Sequence, residues 1–263
     1  MSIYKCPVCG EPLGRDGNVY RCAHGHSYDI SAKGYVNLLG SSKKNHGDDA
    51  NMVASRRRFL NASYYAPLRD KICEAIEKSG ASSLLDAGCG EGYYTRRICE
   101  LFPNIRVCGI DVSKKAAEKA SSVCRTAHIC VSSVYDMPYP DESFDCVLNV
   151  FSPLSVPEYS RLLAPGGKLI LAAPMPEHLI QLKRAVYDSV FVKEMKPSEL
   201  PGFILEERTD ISFDMQLKRE ELKDLFTMTP YYHKTSECDK AKLDLIDSLD
   251  VTASFVIFVY GKA

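Results

Sequence analysis

After Gly80 the chain alternates short apolar runs with stretches whose apolar residues recur at helical spacing. The apolar runs predict strands at residues 83–87, 107–111, 128–132, 145–150 and 168–173. Helical stretches separate most of these strands, at residues 93–102, 114–123 and 156–163. Such alternation is typical of a parallel sheet that carries helices on both faces.

The end of the chain has a different pattern. Two apolar runs that lie close together, residues 203–207 and 211–217, predict strands, and so do residues 252–260. A helix is predicted between them at residues 219–227. We therefore expect an antiparallel edge on the otherwise parallel sheet.

The residues before the sheet fall into two parts. Residues 1–39 are rich in Cys, Gly and Tyr and show no helical period, and the polar residues 40–51 are typical of a linker. From Met52 to about residue 78 the pattern is helical, and Pro67 marks the start of a second helix. We predict three units, a metal-binding module at 1–39, a linker with connecting helices at 40–78, and an α/β domain at 79–263.

The composition is that of a soluble globular protein, with 45% hydrophobic and 25% charged residues. No apolar run approaches ~18 residues, the length of a membrane span. The first residues also lack an apolar signal segment. We therefore expect a cytoplasmic protein without a membrane partner. The net charge is −1, but residues 1–70 hold ten Lys or Arg against six Asp or Glu, so this part can contact a polyanion.

The clearest chemical pattern follows the first predicted strand. It consists of Asp86, Gly88, Gly90, Glu91 and Gly92. Glycines let the backbone approach a ligand closely at the carboxyl end of a strand. The second strand ends in Asp111, nineteen residues after Gly92. A carboxylate in that position can accept hydrogen bonds from both hydroxyls of an adenosine ribose.

Two cofactor classes fit this pattern, a dinucleotide and S-adenosylmethionine. A pyrophosphate prefers helix amides without negative charge nearby, and Asp86 and Glu91 would repel it. The same carboxylates suit a ligand that carries an ammonium and a sulfonium, which favours S-adenosylmethionine. Residues 141–145 and 163–168 resemble the later motifs of class I methyltransferases. The predicted fold is a class I methyltransferase Rossmann-like sheet, and a glycine-rich turn in an unrelated α/β domain is the alternative.

Candidate metal ligands lie near the N-terminus. Cys6 and Cys9 form a Cys-x-x-Cys pair, and Cys22 is followed by His24 and His26. This spacing is typical of a structural zinc site with four protein ligands. Zinc binding contributes about 10 kcal/mol or more in small fingers, which a module too small to bury a core of its own requires. We prefer His26 to His24 as the fourth ligand, since three intervening residues let the chain turn back on the metal. A redox pair or a disulfide is the alternative.

Together these motifs resemble the RlmA family, the 23S rRNA guanine-N1 methyltransferases. The matching segments are residues 6–9, 22–26, 34–39, 47–48, 56–60, 65–69, 86–94, 109–113, 177–179 and 228–230. The resemblance implies a zinc ribbon packed on a Rossmann-like domain, an RNA-binding cleft, and 23S rRNA as partner. Members differ in which of two neighbouring guanines of one hairpin they modify, and some confer macrolide resistance. The sequence leaves these points open, and also whether the chain forms a homodimer.

The resemblance also places the cofactor against four residues, Tyr65, Glu91, Gly92 and His178. Tyr65 can instead be a core residue, and His178 can be a solvated residue at a helix start. The basic run at residues 56–58 is either a solvated helix face or a phosphate contact. The same two alternatives apply to Arg21, Lys43 and Lys44.

The implied reaction moves a sulfonium methyl to guanine N1, a ring nitrogen that carries a proton at neutral pH. The base must be unpaired or flipped and held in line with the methyl group. Loss of the N1 proton needs a general base or hydrogen bonds that favour the enolate, and no catalytic residue is assigned. Residues 149–153 are expected to line the pocket. They lack the Asp/Asn-Pro-Pro-aromatic motif of base-amine methyltransferases, which argues against methylation of an exocyclic amine.

Two other functions fit the same chain. A small-molecule methyltransferase with a zinc lid would act on a free metabolite without RNA. A non-catalytic RNA-binding protein with this fold would fail to bind S-adenosylmethionine at micromolar concentrations. The intact glycine loop and Asp111 place the second of these last.

Overall fold

A computed structural model of the chain describes residues 3–40, 50–191 and 199–263. Lys43 and Lys44, the candidate phosphate contacts, and the family segment at residues 47–48 lie outside the described residues. Within these ranges no helix combines the length and the hydropathy that crossing a membrane requires.

The N-terminal module contains a small antiparallel sheet. Its three strands, which lie in chain order, are β1 (Gly14–Asp16), β2 (Val19–Arg21) and β3 (Ser27–Asp29). Most of their residues are exposed or half-buried, so this sheet has little core of its own. The module ends in a short strand, β4 (Val36–Asn37), which leaves it to join the main sheet.

The main sheet has eight strands in the order β10-β11-β9-β8-β5-β6-β7-β4. Besides β4 it consists of β5 (Ser83–Ala87), β6 (Arg106–Asp111), β7 (His128–Val131), β8 (Phe144–Val150), β9 (Leu163–Pro174), β10 (Phe203–Lys218) and β11 (Ser248–Lys262). The strands from β4 to β9 run parallel, and β11 is antiparallel to both β9 and β10. The strand order reverses at β5, whose neighbours are β6 and β8, and a crevice for ligands forms beside such a reversal.

The described helices are α1 (Ala50–Asn61), α2 (Ala66–Ser79), α3 (Tyr93–Leu101), α4 (Lys114–Val123), α5 (Val156–Leu162), α6 (Ile180–Val186), α7 (Arg219–Thr227) and α8 (Glu237–Ala241). Short 3₁₀ turns occur at Tyr232–Lys234 and Lys242–Leu245. Pro67 lies in the first turn of α2, where its missing N–H costs nothing, and Gly80 ends that helix in the left-handed conformation.

Most of the predicted elements are confirmed, including β5, the helices near residues 93 and 114, and the antiparallel edge. The prediction of two strands at residues 203–207 and 211–217 is wrong, because β10 runs through both. Its register with β11 continues across Arg208, Thr209 and Asp210, with one bulge between Leu205 and Glu207. These polar residues are tolerated because β10 is an edge strand with one solvated face.

The core lies on both faces of the sheet. Leu84 packs with α2, while its neighbour Leu85 packs on the opposite face, as alternating strand residues must. Tyr4 and Leu13 from the N-terminal module are 1% exposed and belong to the same core as Leu85. The division at residues 39 and 78 stays a prediction, but the packing ties the module to the sheet.

Candidate active site and metal centre

The glycine loop joins β5 to α3. Gly88 and Gly92 have φ values of 95° and 87°, a conformation that disfavours other residues. A Cβ at Gly88 would lie 2.3 Å from the hydroxyl oxygen of Ser152, and one at Gly92 would lie 2.9 Å from Cys124 Sγ. A Cβ at Gly90 would instead meet nothing within 4 Å. The loop is therefore packed at its two ends and borders open space in the middle, as a loop beside a ligand should.

Asp111 is the last residue of β6 and is partly exposed. Its Oδ2 accepts a hydrogen bond from the Gly90 N–H at 3.0 Å, and its Oδ1 accepts one from the Ser113 N–H at 2.7 Å. These bonds fix the orientation of the carboxylate beside the open middle of the glycine loop. A carboxylate accepts about four hydrogen bonds, so this group can hold the loop and also bind ligand hydroxyls.

Two carboxyl groups lie buried next to the loop. Asp86 is 2% exposed and Glu91 is 7% exposed. Burial raises the pKa of Asp86 to about 7; the Thr95 hydroxyl, which donates a 2.6 Å hydrogen bond to Asp86, lowers it, and the Asp111 carboxylate raises it further. A cationic ligand would favour the ionised forms of these acids. The donor set and the space at Gly90 thus fit the amino-acid and ribose parts of S-adenosylmethionine.

The hydroxyl of Tyr94 extends this polar group. It is buried and has no hydrogen-bond partner among the described residues. Burial raises the pKa of Tyr94 well above 10, and Tyr65, Tyr93, Asp86 and Glu91 add to that rise. A buried O–H without an acceptor is unusual in a folded protein and indicates a position that a polar ligand can complete. Tyr94 lies in the family segment at residues 86–94, but the sequence gave no prediction of its role.

Tyr65 and His178 lie together in an aromatic cluster. Tyr65 is 2% exposed, and its ring centroid lies 5.0 Å from that of Phe255. His178 lies 4.4 Å from Phe255 and 6.4 Å from Tyr65, so the alternative of a solvated His178 is wrong. Burial lowers the pKa of His178 to about 3, and Lys183 adds to this effect. Its Nδ1 accepts a 3.2 Å hydrogen bond from the Ser254 N–H. The neutral ring therefore carries its proton on Nε2, which can act as a donor.

The loop after β8 presents an apolar ring at the same edge of the sheet. Phe151 is 46% exposed, has a φ of 58°, and lies 5.3 Å from the Phe255 ring. The buried Asn149 holds this loop, since its Nδ2 donates to the Pro153 carbonyl at 3.2 Å and its Oδ1 accepts from the Ser152 N–H at 3.2 Å. The positive φ of Phe151 places it in the left-handed region, which costs a residue other than glycine about 1 kcal/mol or more. Such backbone strain is concentrated at functional sites.

The predicted metal ligands also come together. Ligand atoms of Cys6, Cys9, Cys22 and His26 all lie within 4.8 Å of one another. Nδ1 of His26 is 3.3 Å from Cys22 Sγ, and Cys9 Sγ is 3.7 Å from Cys22 Sγ. Tetrahedral zinc, with Zn–S ~2.3 Å and Zn–N ~2.0 Å, separates its ligands by about 3.5–3.8 Å. The cluster fits one zinc ion with four protein ligands. His24 lies outside it, and the described cysteines are free thiols.

Two family models match the chain, one described as RlmA, N-terminal, at residues 4–46 and one as Methyltransferase domain at residues 84–167. A 23S rRNA (guanine(748)-N(1))-methyltransferase of Streptomyces fradiae is 34% identical over 69% of this chain and 67% of its own length. The YxjB protein of Bacillus subtilis, provisionally named a 23S rRNA (guanine-N(1)-)-methyltransferase, is 35% identical over 71% of this chain and 70% of its own. The chain belongs to the RlmA family. It is a methyltransferase that uses S-adenosylmethionine and holds a structural zinc ion.

One basic residue of this RlmA protein, Arg58, has a structural role that the sequence did not predict. Arg58 Nε donates to Asp224 Oδ2 at 2.8 Å, and an Arg58 terminal nitrogen donates to Ser55 at 3.0 Å. Asp224 lies on α7, so Arg58 joins α1 to α7. A purely solvated helix face therefore does not describe this side chain.

In this RlmA protein we expect Asp86→Asn to stabilise the ligand-free state above neutral pH. The carboxyl group has a pKa of about 7 in the folded chain against 3.8 in the unfolded chain. The folded state therefore binds more protons between these values, and stability falls as the pH rises through them. The amide removes this loss, which amounts to ~4 kcal/mol at most.

Melting temperatures without cofactor, compared at about pH 5.5 and about pH 8, check this prediction. The advantage of the variant should grow with pH. Thr95→Val, which removes the donor to the same carboxylate, is the matched variant. It should lose more stability than the wild type as the pH rises, because the Thr95 hydrogen bond lowers the pKa of Asp86. An equal advantage of Asp86→Asn at both pH values would contradict the argument.

Proposed function

We propose that this protein transfers the methyl group of S-adenosylmethionine to N1 of a guanine in a 23S rRNA hairpin. One observation carries the proposal. The chain combines an RlmA zinc module with a class I methyltransferase sheet, and it is 34% identical to an enzyme named for this reaction. The zinc module shares a core with the sheet, and the relatives that match over two thirds of their length are named for 23S rRNA. We therefore propose a folded RNA as the substrate in preference to a free metabolite.

In this proposal the residues of the sheet edge hold the cofactor. Asp111 accepts the ribose hydroxyls, and Gly88, Gly90 and Gly92 bring the backbone against the cofactor. Asp86 and Glu91 offset its positive charges. When bound, S-adenosylmethionine supplies an electrophilic methyl group.

The aromatic cluster and the metal ligands complete the assignment. Tyr65 forms an apolar wall beside the cofactor, and His178 donates a hydrogen bond to it from Nε2. Cys6, Cys9, Cys22 and His26 hold the zinc ion and take no part in the reaction.

Phe151 positions the target guanine. A guanine that leaves its stack gives up its interactions with neighbouring bases, and an aromatic side chain restores about 1–3 kcal/mol of that loss. Phe151 is suited to this because its ring is half exposed at the carboxyl end of β8 and is supported from behind by Phe255. Holding N1 in line with the methyl group is then the main contribution of the protein.

We expect Phe151→Ala to lower kcat/KM for the hairpin about 10- to 100-fold, because the guanine loses its stacking partner. Phe151→Tyr keeps the aromatic face and should stay within about threefold. Leu154→Ala, at another exposed apolar position of the same loop, is the matched control. Steady-state methylation of the hairpin with labelled cofactor measures all three. A Phe151→Ala enzyme with unchanged kcat/KM would remove Phe151 from the substrate site.

The proposed function is tested by incubating 23S rRNA that lacks the modification with the protein and labelled S-adenosylmethionine. Mass mapping of the RNA should find one methyl group, on N1 of a guanine in the hairpin. Label at another position of the RNA, or label only in a free metabolite, would overturn the assignment. The same map identifies which of the two neighbouring guanines is modified.

The remaining expectations belong to the same proposal. The protein works in the cytoplasm, where its rRNA substrate is located, and is divided into a zinc module at 1–39, connecting helices at 40–78 and the methyltransferase domain at 79–263. A homodimer is a prediction that light scattering of the purified protein measures directly.

A further inference from the structure

A groove between α1 and α4 lies beside the cofactor site but is distinct from it. It has a volume of about 610 Å³ and is lined by Val53, Ala54, Arg57, Arg58, Asn61, Lys115, Glu118 and Lys119. Four of these side chains are basic and one is acidic, so the groove is positively charged. Clefts of one charge between low-dielectric walls concentrate their field and attract ligands of the opposite charge.

Three of the four basic side chains have no part in holding the fold together. Arg58 is bonded to Asp224 and Ser55. Arg57, Lys115 and Lys119 are exposed, and in the part of the chain that the structure describes they form no ion pair. Their charges are therefore available to a ligand.

The start of α4 has an unusual distribution of charge. Its first two residues are Lys114 and Lys115, and its first turn contains no acidic residue. Positive charges at a helix N-terminus oppose the helix dipole and are unfavourable there. The Ser113 side chain caps the helix by accepting a 3.4 Å bond from the Ala116 N–H, which does not offset these charges. An anion bound in the groove would offset them.

The groove lies at the functional edge of the sheet. Asp111 ends β6, and α4 begins three residues later at Lys114. Phe151 follows β8, and only β5 separates β6 from β8. Neighbouring strands lie ~4.8 Å apart, so a single nucleic acid segment can reach both places.

We propose that this groove binds the phosphate backbone of the RNA substrate through Arg57, Lys115 and Lys119. The proposal rests on the proposed function, since it names the contact that holds the hairpin while Phe151 receives the base. An RNA fits better than an acidic protein segment because phosphates repeat along a strand and match several separate cations. Base recognition is not assigned to the groove, since phosphate contacts orient a nucleic acid without reading its sequence.

The test compares the wild type with Arg57→Gln, with Lys119→Gln and with a variant that combines both changes and Lys115→Gln. Fluorescence anisotropy with a labelled rRNA hairpin gives Kd at several salt concentrations. We expect Kd to rise about 10- to 100-fold in the combined variant, and the slope of log K against log salt to decrease by about 0.7–0.9 for each phosphate that the variant no longer neutralises. The affinity for S-adenosylmethionine should be unchanged. Arg125→Gln, at an exposed cation beyond the C-terminal end of α4, is the matched control.

The outcomes separate this proposal from the proposed function. If the combined variant kept the Kd and the salt slope of the wild type, the proposed phosphate contact in the groove would be wrong, even if the wild type methylates the hairpin. A higher Kd with an unchanged slope would also overturn it, because the three cations would then act on something other than phosphates. A wild type that binds the hairpin with the expected slope but never methylates it would instead defeat the proposed function.

Discussion

Replacing Asp111 by alanine is expected to lower the affinity for S-adenosylmethionine at least ~100-fold. Hydrogen bonds to a charged group contribute about 1.5–3 kcal/mol each, and the variant loses those to both ribose hydroxyls. It also loses the 3.0 Å bond from the Gly90 N–H, which holds the middle of the glycine loop. The two losses act in the same direction, because in the proposed assignment one carboxylate binds both the loop and the ribose.

Isothermal titration of the purified variants with S-adenosylmethionine measures this effect. Asp111→Asn keeps one acceptor oxygen and should lie between the wild type and Asp111→Ala. Asp250→Asn, at an exposed carboxylate on β11, should bind like the wild type. If Asp111→Ala bound the cofactor within threefold of the wild type, the ribose assignment would be wrong. A normal melting temperature would show that the loss is not caused by unfolding.

The parallel strands could be predicted because burial on both faces leaves a continuous apolar run in the sequence. In β5 all residues are buried, and Leu84 and Leu85 provide the apolar run between Ser83 and Asp86. β10 could not be predicted as one strand for the opposite reason. Its outer face is solvated, so charged residues interrupt the apolar pattern. Its continuity depends on pairing with β11, whose partner residues lie from 30 positions (Lys218 with Ser248) to 59 positions (Phe203 with Lys262) further along the chain.

The candidate site could likewise be predicted only where its residues belong to local motifs. Asp86, the glycines and Asp111 form local motifs, because the end of each strand fixes where its own carboxylate and loop lie. Residues 149–153 were expected to line the pocket and Tyr94 lies in the family segment at residues 86–94, but no local motif gave Phe151 or Tyr94 a role. Their position depends on contacts between distant segments, such as the packing of Phe151 on Phe255. The ion pair of Arg58 with Asp224, 166 residues away, is a further contact of this kind.

In the zinc site the ligands could be predicted from a local motif, whereas the contacts with the sheet could not. The spacing of Cys6, Cys9 and Cys22 identified three ligands, and the preference for His26 over His24 agrees with the cluster that the structure contains. The family resemblance implied that the zinc module packs on the domain, but no local motif predicted the contacts of that link. It consists of the pairing of β4 with β7, the packing of Tyr4 against Tyr139 at 5.4 Å, and a 2.9 Å bond from the Lys5 N–H to the Pro138 carbonyl.

Loss of the zinc ion should therefore strongly reduce RNA methylation and have little effect on cofactor binding. Zinc contributes about 10 kcal/mol or more to folding in small modules, and the strands β1 to β3 have little core to replace it. We expect Cys22→Ser to lose bound zinc, to become sensitive to protease within residues 1–39, and to lose more than ~100-fold in methylation of the hairpin. The affinity for S-adenosylmethionine should stay within about threefold, because the glycine loop and Asp111 are held by strands outside the module.

The two histidines near Cys22 provide the sharpest control for this prediction. His26→Ala removes a nitrogen that lies 3.3 Å from Cys22 Sγ, whereas His24→Ala removes an exposed side chain outside the cluster. Metal analysis should find zinc in His24→Ala and a strongly reduced content in His26→Ala, with methylation following the metal. Equal zinc contents in the two variants would contradict the ligand assignment. A fall in cofactor affinity as large as the fall in methylation would show that the module supports the whole sheet, because the β4–β7 edge would then carry the loss across to β6 and Asp111.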